Sequence, residues 1–516
     1  MTADLSLFTL PLEILTRIFG FLEGRQITGC STVCSYFKHA IENSIVLQYL
    51  IKLDMFGYAD VSGSVDASVV PATRLDQLER HIDAWNNLDW VEDVLPHDYG
   101  FGILCQGILA TSDLKSVHCI QLPHLVRGIQ LRRWTLDNLP FPIYGIEIDP
   151  SNDLLVVVSR ESADLDPMGS KTITLHLLTL SDSRPHPRAI SHTLFSVLTH
   201  ARSCPCPAVR VMGCLLGVVL YFRLDARLEI WDWVTGQKMT VLEMRYAHHV
   251  YSFEFLSATS IVAVLPRALE VYQILTETPG ASPVRSASFC LPQPNLAQYH
   301  SSVWVSGSPG IDHRSDASSF PSPSFRLAKD SCYLTLHWCL SGIPNDGFEG
   351  NSRGVLFVPL SSLHCSPMYG DALAIPWQVW SKDVYFQRDH GKDFQISAGR
   401  LVSFGRSPRS SLHWEVSLFD LNRSRAGRLG ERGANPWPYY APSHVIKSGI
   451  LRSEIQTEGP YPVHLATRTL SLDGSLYYPA YMICDDEHIV FWALAIDQYE
   501  HGGVPFVNKL IVLTLR

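Results

Sequence analysis

The sequence predicts a small all-helical unit followed by a much larger, nearly all-β unit. Residues 10–56 carry apolar side chains at helical spacing, with helix start signals at Pro11 and Glu13. From about Val94 onward the chain breaks into short β-branched or aromatic runs separated by Gly, Pro, Asn and Asp. The chain has 516 residues, and chains beyond about 250–300 residues split or repeat rather than grow a single core.

The first helix is expected from Pro11, whose missing N–H costs nothing there, to Leu22. At roughly 100° per residue, Leu12, Ile14, Leu15, Ile18, Phe19, Phe21 and Leu22 spread over about half of the cylinder. A helix packed on one neighbour needs an apolar stripe of about 100°, so the surplus calls for cover from a second direction. Gly24 is expected to break the pattern, and a second helix begins near Arg25 or Gln26 and carries Ile27, Cys30, Val33 and Cys34. A third occupies Ser35 to Glu42, and Val46, Leu47, Leu50, Ile51 and Met55 extend the pattern into a further helical segment. Ala59 to Ala72 lacks periodicity and is expected to be a linker. Leu75, Leu78, Ile82 and Trp85 then define an amphipathic helix that braces the two units. The domain division is a helical unit at 1–58, a linker and bracing helix at 59–93, and a β unit at 94–516.

In the β unit, "RLEIWDWVTG" and "ALEVYQI" have the layout of the outer half of a propeller blade, a strand with an aromatic near its end running into a polar turn. "WEVSLFDLNRSR" is a looser example. At roughly 40–50 residues per blade, the β unit has room for six or seven four-stranded blades. A pair of β-sandwiches is the alternative, and blade number and phase stay open. The stretch from 276 to 330 is expected to be one long insertion between strands.

Composition is globular, with 46% hydrophobic and 18% charged residues. The net charge of -9 and the lack of a long Lys/Arg run exclude a phosphate-tracking surface, so no nucleic-acid partner is expected. The longest apolar run, Val211 to Phe222, is too short for a membrane helix and is expected to form buried strands. No basic flank precedes the N-terminal apolar residues, so neither a signal peptide nor a membrane partner is expected, and the expected location is cytoplasmic and/or nuclear. The twelve cysteines lack paired C-x-x-C spacing and are expected to be reduced thiols. Cys204 and Cys206, with His248 and His249, have no zinc-ligand spacing, so neither metal nor cofactor is expected. The Ser-Pro pairs at Ser282, Ser308 and Ser322 fit solvated loops.

The opening residues carry a further pattern. Leu10, Pro11, Glu13, Ile14, Leu15, Ile18, Phe19, Leu22, Val33, Cys34 and Phe37 match in type and spacing L-P-x-E-[IL]-[LI], then I-[FL]-x-x-L, then V-[CS]-x-x-[FW]. This stretch resembles the F-box, and the β unit is similar in general layout to propeller-bearing F-box proteins common in mushroom-forming fungi. The resemblance implies a substrate-recognition adaptor of an SCF-type cullin-RING ubiquitin ligase. The F-box would bind a Skp-family adaptor, and through it the cullin and RING subunits, while the β unit holds a protein substrate. It implies adaptor-binding roles for those eleven residues and for Ile27, with the contact depending most on Leu10, Pro11, Ile14 and Ile18. Two departures stand out: Gly24, Arg25 and Gln26 replace the acidic residue many members carry before the apolar position kept at Ile27, and Ser35 replaces a common basic residue.

Propeller enzymes need two carboxylates or a metal cluster converging on the central channel. Asp225, Asp232, Asp393, Asp420, Asp473, Asp485 and Asp486 are the acidic candidates, and most sit beside turn formers or strand ends, where Asp shapes turns. No G-x-S-x-G, H-E-x-x-H or Walker-type loop occurs. No catalytic residues and no enzymatic activity are therefore expected. The alternatives are an F-box scaffold without a ubiquitination role and, behind it, a propeller-type hydrolase.

Overall fold

The structure is a computed structural model describing residues 10–61, 70–96, 102–124, 128–162, 171–198, 208–221, 226–244, 252–265, 267–275, 280–292, 300–306, 325–328, 331–341, 352–363, 374–388, 393–397, 399–407, 410–421, 445–446, 455–456, 463–470, 477–495 and 507–515.

The helical unit contains α1 (Leu12–Phe19), α2 (Gly24–Ser31), α3 (Ser35–Glu42) and α4 (Ile45–Phe56). Helix α1 ends three residues earlier than its periodicity suggests. Gly20, Phe21 and Leu22 turn their N–H groups back onto Thr16, Ile18 and Phe19, and Glu23 already opens α2 through a reciprocal cap with Gln26. Gly24 is the first residue of α2 rather than a breaker. A Cβ there would lie 2.6 Å from the Asp54 Cβ and 2.8 Å from the Leu50 carbonyl oxygen, so glycine lets α2 and α4 cross closely. Leu15, Phe19, Ile27, Phe37, Ile41 and Leu47 form the core of this unit. Phe19 meets Phe37 edge to face at 5.3 Å.

Among the described residues the β unit has six four-stranded antiparallel sheets and a seventh, in blade 4, whose four antiparallel strands are joined by a short parallel fifth, Ala374–Ile375. Strands at 102–136, 145–198, 208–244, 252–290, 300–388 and 393–469 build blades 1 to 6, each a meander from the inside outward. Blade 7 takes three strands from 477–515, and its outermost strand is Trp90–Pro96, which pairs antiparallel with Val507–Leu515. Innermost strands of neighbouring blades pack against one another, blade 5 reaching blade 6 through its second strand. Gly102–Cys105 against Tyr477–Cys484 completes the ring. This is a seven-bladed propeller, and the blade number left open in the sequence is thereby fixed. The three stretches with outer-half layout all supply third strands: Ala226–Asp232, Ala268–Gln273 and Ser410–Asp420. Of the run Val211 to Phe222, residues 211–221 divide between the first two strands of blade 3, Ala208–Met212 and Leu215–Tyr221, and Phe222 lies outside the described residues.

The single insertion expected at 276–330 is corrected. It contains the fourth strand of blade 4, Val284–Cys290, and the innermost of blade 5, His300–Ser306. The blade 4 strand escapes notice because its first residues, Val284, Arg285 and Ser286, are exposed or half-buried at a sheet edge and carry no apolar run. Residues 307–324 lie outside the described residues.

The segment between the units contains structure at both ends, whereas 62–69 lie outside the described residues. A short strand, β1 (Tyr58–Asp60), pairs antiparallel with Phe325–Leu327, which emerges between the first two strands of blade 5. Helix α5 (Pro71–Asn87) packs against α4 and against the strands Val463–Thr469 of blade 6 and Val507–Leu515 of blade 7. Strand Trp90–Pro96 begins before Val94, because its first residue, the buried Trp90, belongs to the blade. Tyr49, Leu53, Tyr58, Leu78, Ile82 and Trp85 join one buried cluster with Leu334 of blade 5, Val402 of blade 6 and Phe491 of blade 7. Polar bonds add to this seam. Trp85 Nε1 donates to the Asp486 carbonyl at 3.0 Å, Arg400 Nη1 to the Tyr58 hydroxyl at 2.9 Å, and Arg468 Nη1 to the Trp90 carbonyl at 2.7 Å. The end of α4, β1 and α5 thus join the propeller's core, while α1 to α3 keep their own.

Blades 7 and 1 are tied by a buried polar latch. Asp485 accepts from Gly107 N at 2.6 Å and from His488 Nδ1 at 3.1 Å, while His488 Nε2 donates to the Pro123 carbonyl at 2.9 Å. Burial works against charge on both groups, but their mutual attraction and hydrogen bonds win, holding Asp485 below and His488 above their ordinary values.

Two outcomes follow. Trp85→Ala should destabilise the chain by about 3–5 kcal/mol, with helical and β signals lost in the same transition by far-UV circular dichroism. Separate transitions would contradict the common core. The latch acts when both partners are charged, so its contribution is lost as pH falls through the lowered Asp485 value and as it rises through the raised His488 value. Asp485→Asn should therefore lower the melting temperature more at pH 6 than at pH 9.

Candidate functional site

Helix α1 divides its apolar arc into two stripes. Leu15 and Phe19 are buried in the unit's own core, with Leu22 half-buried beside them. The adjacent stripe, Ile14, Ile18 and Phe21, is open, with exposures of 45%, 39% and 83%. That exposure shows that the arc's surplus is not covered by the chain's own β unit. Of the remaining site residues, Ile27 and Phe37 are buried, Leu10 and Cys34 are half-buried, and Pro11, Glu13 and Val33 are exposed.

The buried members place the exposed ones. Cys34 precedes α3 and its Sγ accepts from Phe37 N, which fixes Val33 at the turn. The Tyr36 hydroxyl donates to the Leu10 carbonyl at 2.7 Å and anchors the chain just before Pro11. In the segment Gly24–Gln26, where the resembled motif commonly carries an acid, Arg25 donates its backbone N–H to Asp54 Oδ2 of α4 at 2.7 Å, and its Nε lies 3.9 Å from the same oxygen. The motif does not include two exposed residues that the apolar arc contains, Leu12, at 37%, and Phe21. The helical wheel was the signal that could have found both. The surface that results is apolar, formed mainly by one stripe of α1, and can bury side chains of a partner. It presents no catalytic group.

A second cluster lies at the propeller axis, and the sequence analysis missed it. The innermost strands of blades 2, 3 and 4 are Gly145–Asp149, Ala208–Met212 and Ser252–Ser257, and near the middle of each a charged residue stands between two apolar neighbours: Glu147, Arg210 and Glu254. Arg210 Nη1 lies 3.5 Å from Glu147 Oε2 and its Nε 3.2 Å from Glu254 Oε2. Burial pushes the Glu147 carboxyl up to about 7, against the pull of Arg210 and helped by Glu254 and Asp149. Burial also raises Glu254 despite Arg210, and the two carboxylates raise Arg210 although burial works against its charge. The repeated triplets I-E-I, V-R-V and F-E-F were visible, but their meaning depends on blade phase.

Among the acidic candidates, Asp232 accepts from Val234 N and Thr235 N and shapes a turn. Asp485 belongs to the latch, Asp486 offers its carbonyl to Trp85, and the buried Asp420 sits opposite Arg400 in blade 6. Asp393 lies on the innermost strand of blade 6, Asp393–Ser397, and Asp225 and Asp473 lie outside the described residues. Cys204, Cys206, His248, His249, Ser308 and Ser322 also lie outside them, and Ser282 is exposed. Among the described residues no three His, Cys, Asp or Glu side chains are placed to hold a metal ion, and no helix is long and apolar enough to cross a membrane.

Comparison with known proteins adds three findings. The family described as F-box-like matches residues 7–48. No curated protein matches the chain. Among solved structures, the C-terminal WD40 domain of Sif2 is similar at 11% identity over 83% of this chain and 98% of that one, with a TM-score of 0.36, and the AfRom2 CNH domain at 9% identity over 83% and 99%, with a TM-score of 0.34. The seven-bladed ring itself rests on the strand pairing described above. With their matching sequence and their helices closed around Leu15, Phe19, Ile27 and Phe37, residues 7–48 are an F-box-like domain, carried on a β-propeller.

Proposed function

We propose that this protein is a substrate-recognition adaptor of an SCF-type cullin-RING ubiquitin ligase, in the cytoplasm, the nucleus or both. The F-box-like domain binds a Skp-family adaptor, and through it the cullin and RING subunits, while the propeller holds a protein substrate. The observation that carries this reading is the open stripe of Ile14 and Ile18, continued by the exposed Phe21 in the turn that follows, on a helix whose other stripe is already satisfied by its own core. Burying a large apolar side chain stabilises by about 1.5–3 kcal/mol, so three such residues outweigh what a helix as short as α1 gains from propensity. No chemistry is required of the chain. Its work is to hold a substrate close to the ligase, where linkage in one assembly raises the local concentration.

The test separates the two stripes. Ile14→Ala with Ile18→Ala should leave the melting temperature nearly unchanged, since exposed substitutions usually stay within about 0.5 kcal/mol, yet should abolish co-purification of a co-expressed Skp-family adaptor. Leu15→Ala should instead cost about 2–5 kcal/mol of stability by leaving a cavity. Normal adaptor binding by the folded Ile14/Ile18 variant would move the interface elsewhere. The ubiquitination role is read separately, from cycloheximide-chase half-lives of co-purifying partners. These should lengthen when the wild-type chain is replaced by the Ile14/Ile18 variant, and unchanged half-lives with partners still bound would leave a scaffold.

A further inference from the structure

The axial cluster is unbalanced in charge. Arg210 touches both Glu147 and Glu254, and the three side chains are 28%, 15% and 12% exposed. One guanidinium cannot neutralise two carboxylates, and uncompensated charge in a largely dehydrated site is costly. One added proton would make the set neutral. We propose that Glu147, Arg210 and Glu254 form a proton-operated clamp across blades 2, 3 and 4. With one carboxyl protonated, a neutral bridge ties the three blades at the axis, and with both ionised, the excess negative charge strains it.

The surroundings fit this assignment. On its own strand Glu147 has Asp149, which adds negative charge. The paired second strand of blade 2 places Val156 opposite and contributes no charge there. From blade 1 comes Cys105, whose thiol is pushed well above its ordinary value by burial and by nearby acids and so stays neutral. From blade 3 comes Arg210, from blade 4 Glu254, and from blade 7 Tyr481, which bears electrostatically on Arg210. The negative groups around the pair thus outnumber the cation, and the carboxyl that takes the proton is Glu147, raised to about 7. A carboxyl whose folded value exceeds its unfolded value contributes stability that is fully present below the unfolded value of about 4.3 and is lost as pH rises through the folded value. The clamp therefore weakens progressively as pH rises from about 4.3 to about 7 and changes little above that.

The experiment measures urea unfolding midpoints of the full chain at pH 6 and pH 8 for the wild type, Glu147→Gln, Glu254→Gln and the double variant. Other groups also titrate in this range, so the quantity compared is the drop in midpoint between the two pH values. Each single variant should show a smaller drop than the wild type and a higher midpoint at pH 8, because one glutamine leaves a balanced Glu–Arg pair. The double variant should lie below the wild type at both pH values, since it strands a buried guanidinium. A drop in the single variants equal to that of the wild type, or a lower midpoint at pH 8, would overturn the clamp. So would failure of Glu147→Gln to fold at pH 6, where glutamine only replaces a neutral carboxyl.

Discussion

Pairing of Trp90–Pro96 with Val507–Leu515 is the constraint on which the rest of this molecule depends. Blade 7 draws three strands from the C-terminal part of the chain, and without a fourth from the other end its outer edge would be bare. Because that fourth strand directly follows α5, closing the ring also fixes α5. The helix then lays Leu78, Ile82 and Trp85 into the core beneath blades 5 to 7. Ring closure and placement of the helical unit are therefore one event. The β1 ladder adds a second attachment, using an excursion from blade 5 as its partner.

With its back against the propeller, the helical unit keeps the apolar stripe of α1 open. Folding has already used Leu15, Phe19, Ile27 and Phe37, so the open stripe of α1 contributes nothing to the chain's own core. An exposed apolar stripe held on a rigid support is what a docking surface requires: the conformational entropy of ordering it is spent in folding rather than in binding. The propeller in turn is held by polar seams between blades as well as by apolar cores. The Asp485–His488 latch joins blades 7 and 1, and the buried Glu229 of blade 3 takes the Ser196 hydroxyl of blade 2.

Much of the helical unit was legible in the sequence, because its signals are local. The spacing of Leu15, Ile18 and Phe19 and the repeat of Leu75, Leu78, Ile82 and Trp85 act within a few turns of helix, whereas the helix end at Phe19 and the role of Gly24 depend on how α2 and α4 cross. Third strands of blades were legible too, since an aromatic before a polar turn marks them, as in "LEIWDW". Blade phase was not, because the repeats share too little sequence to be superposed. Without phase, Glu147, Arg210 and Glu254 could not be assigned to the axis. Strand β1 escaped because three residues, Tyr-Ala-Asp, carry no periodicity of their own and owe their conformation to a partner far along the chain.

The central claim is that α1 offers its open stripe to a partner while the propeller holds it in place. Hydrogen–deuterium exchange of the full chain, with and without a purified Skp-family adaptor, tests it most directly. Adaptor binding should slow exchange across Leu12–Phe19 and the turn around Val33 and leave α5 and Trp90–Pro96, already protected by the shared core, unchanged. Slowing confined to the propeller, or no change anywhere in the helical unit, would contradict the account.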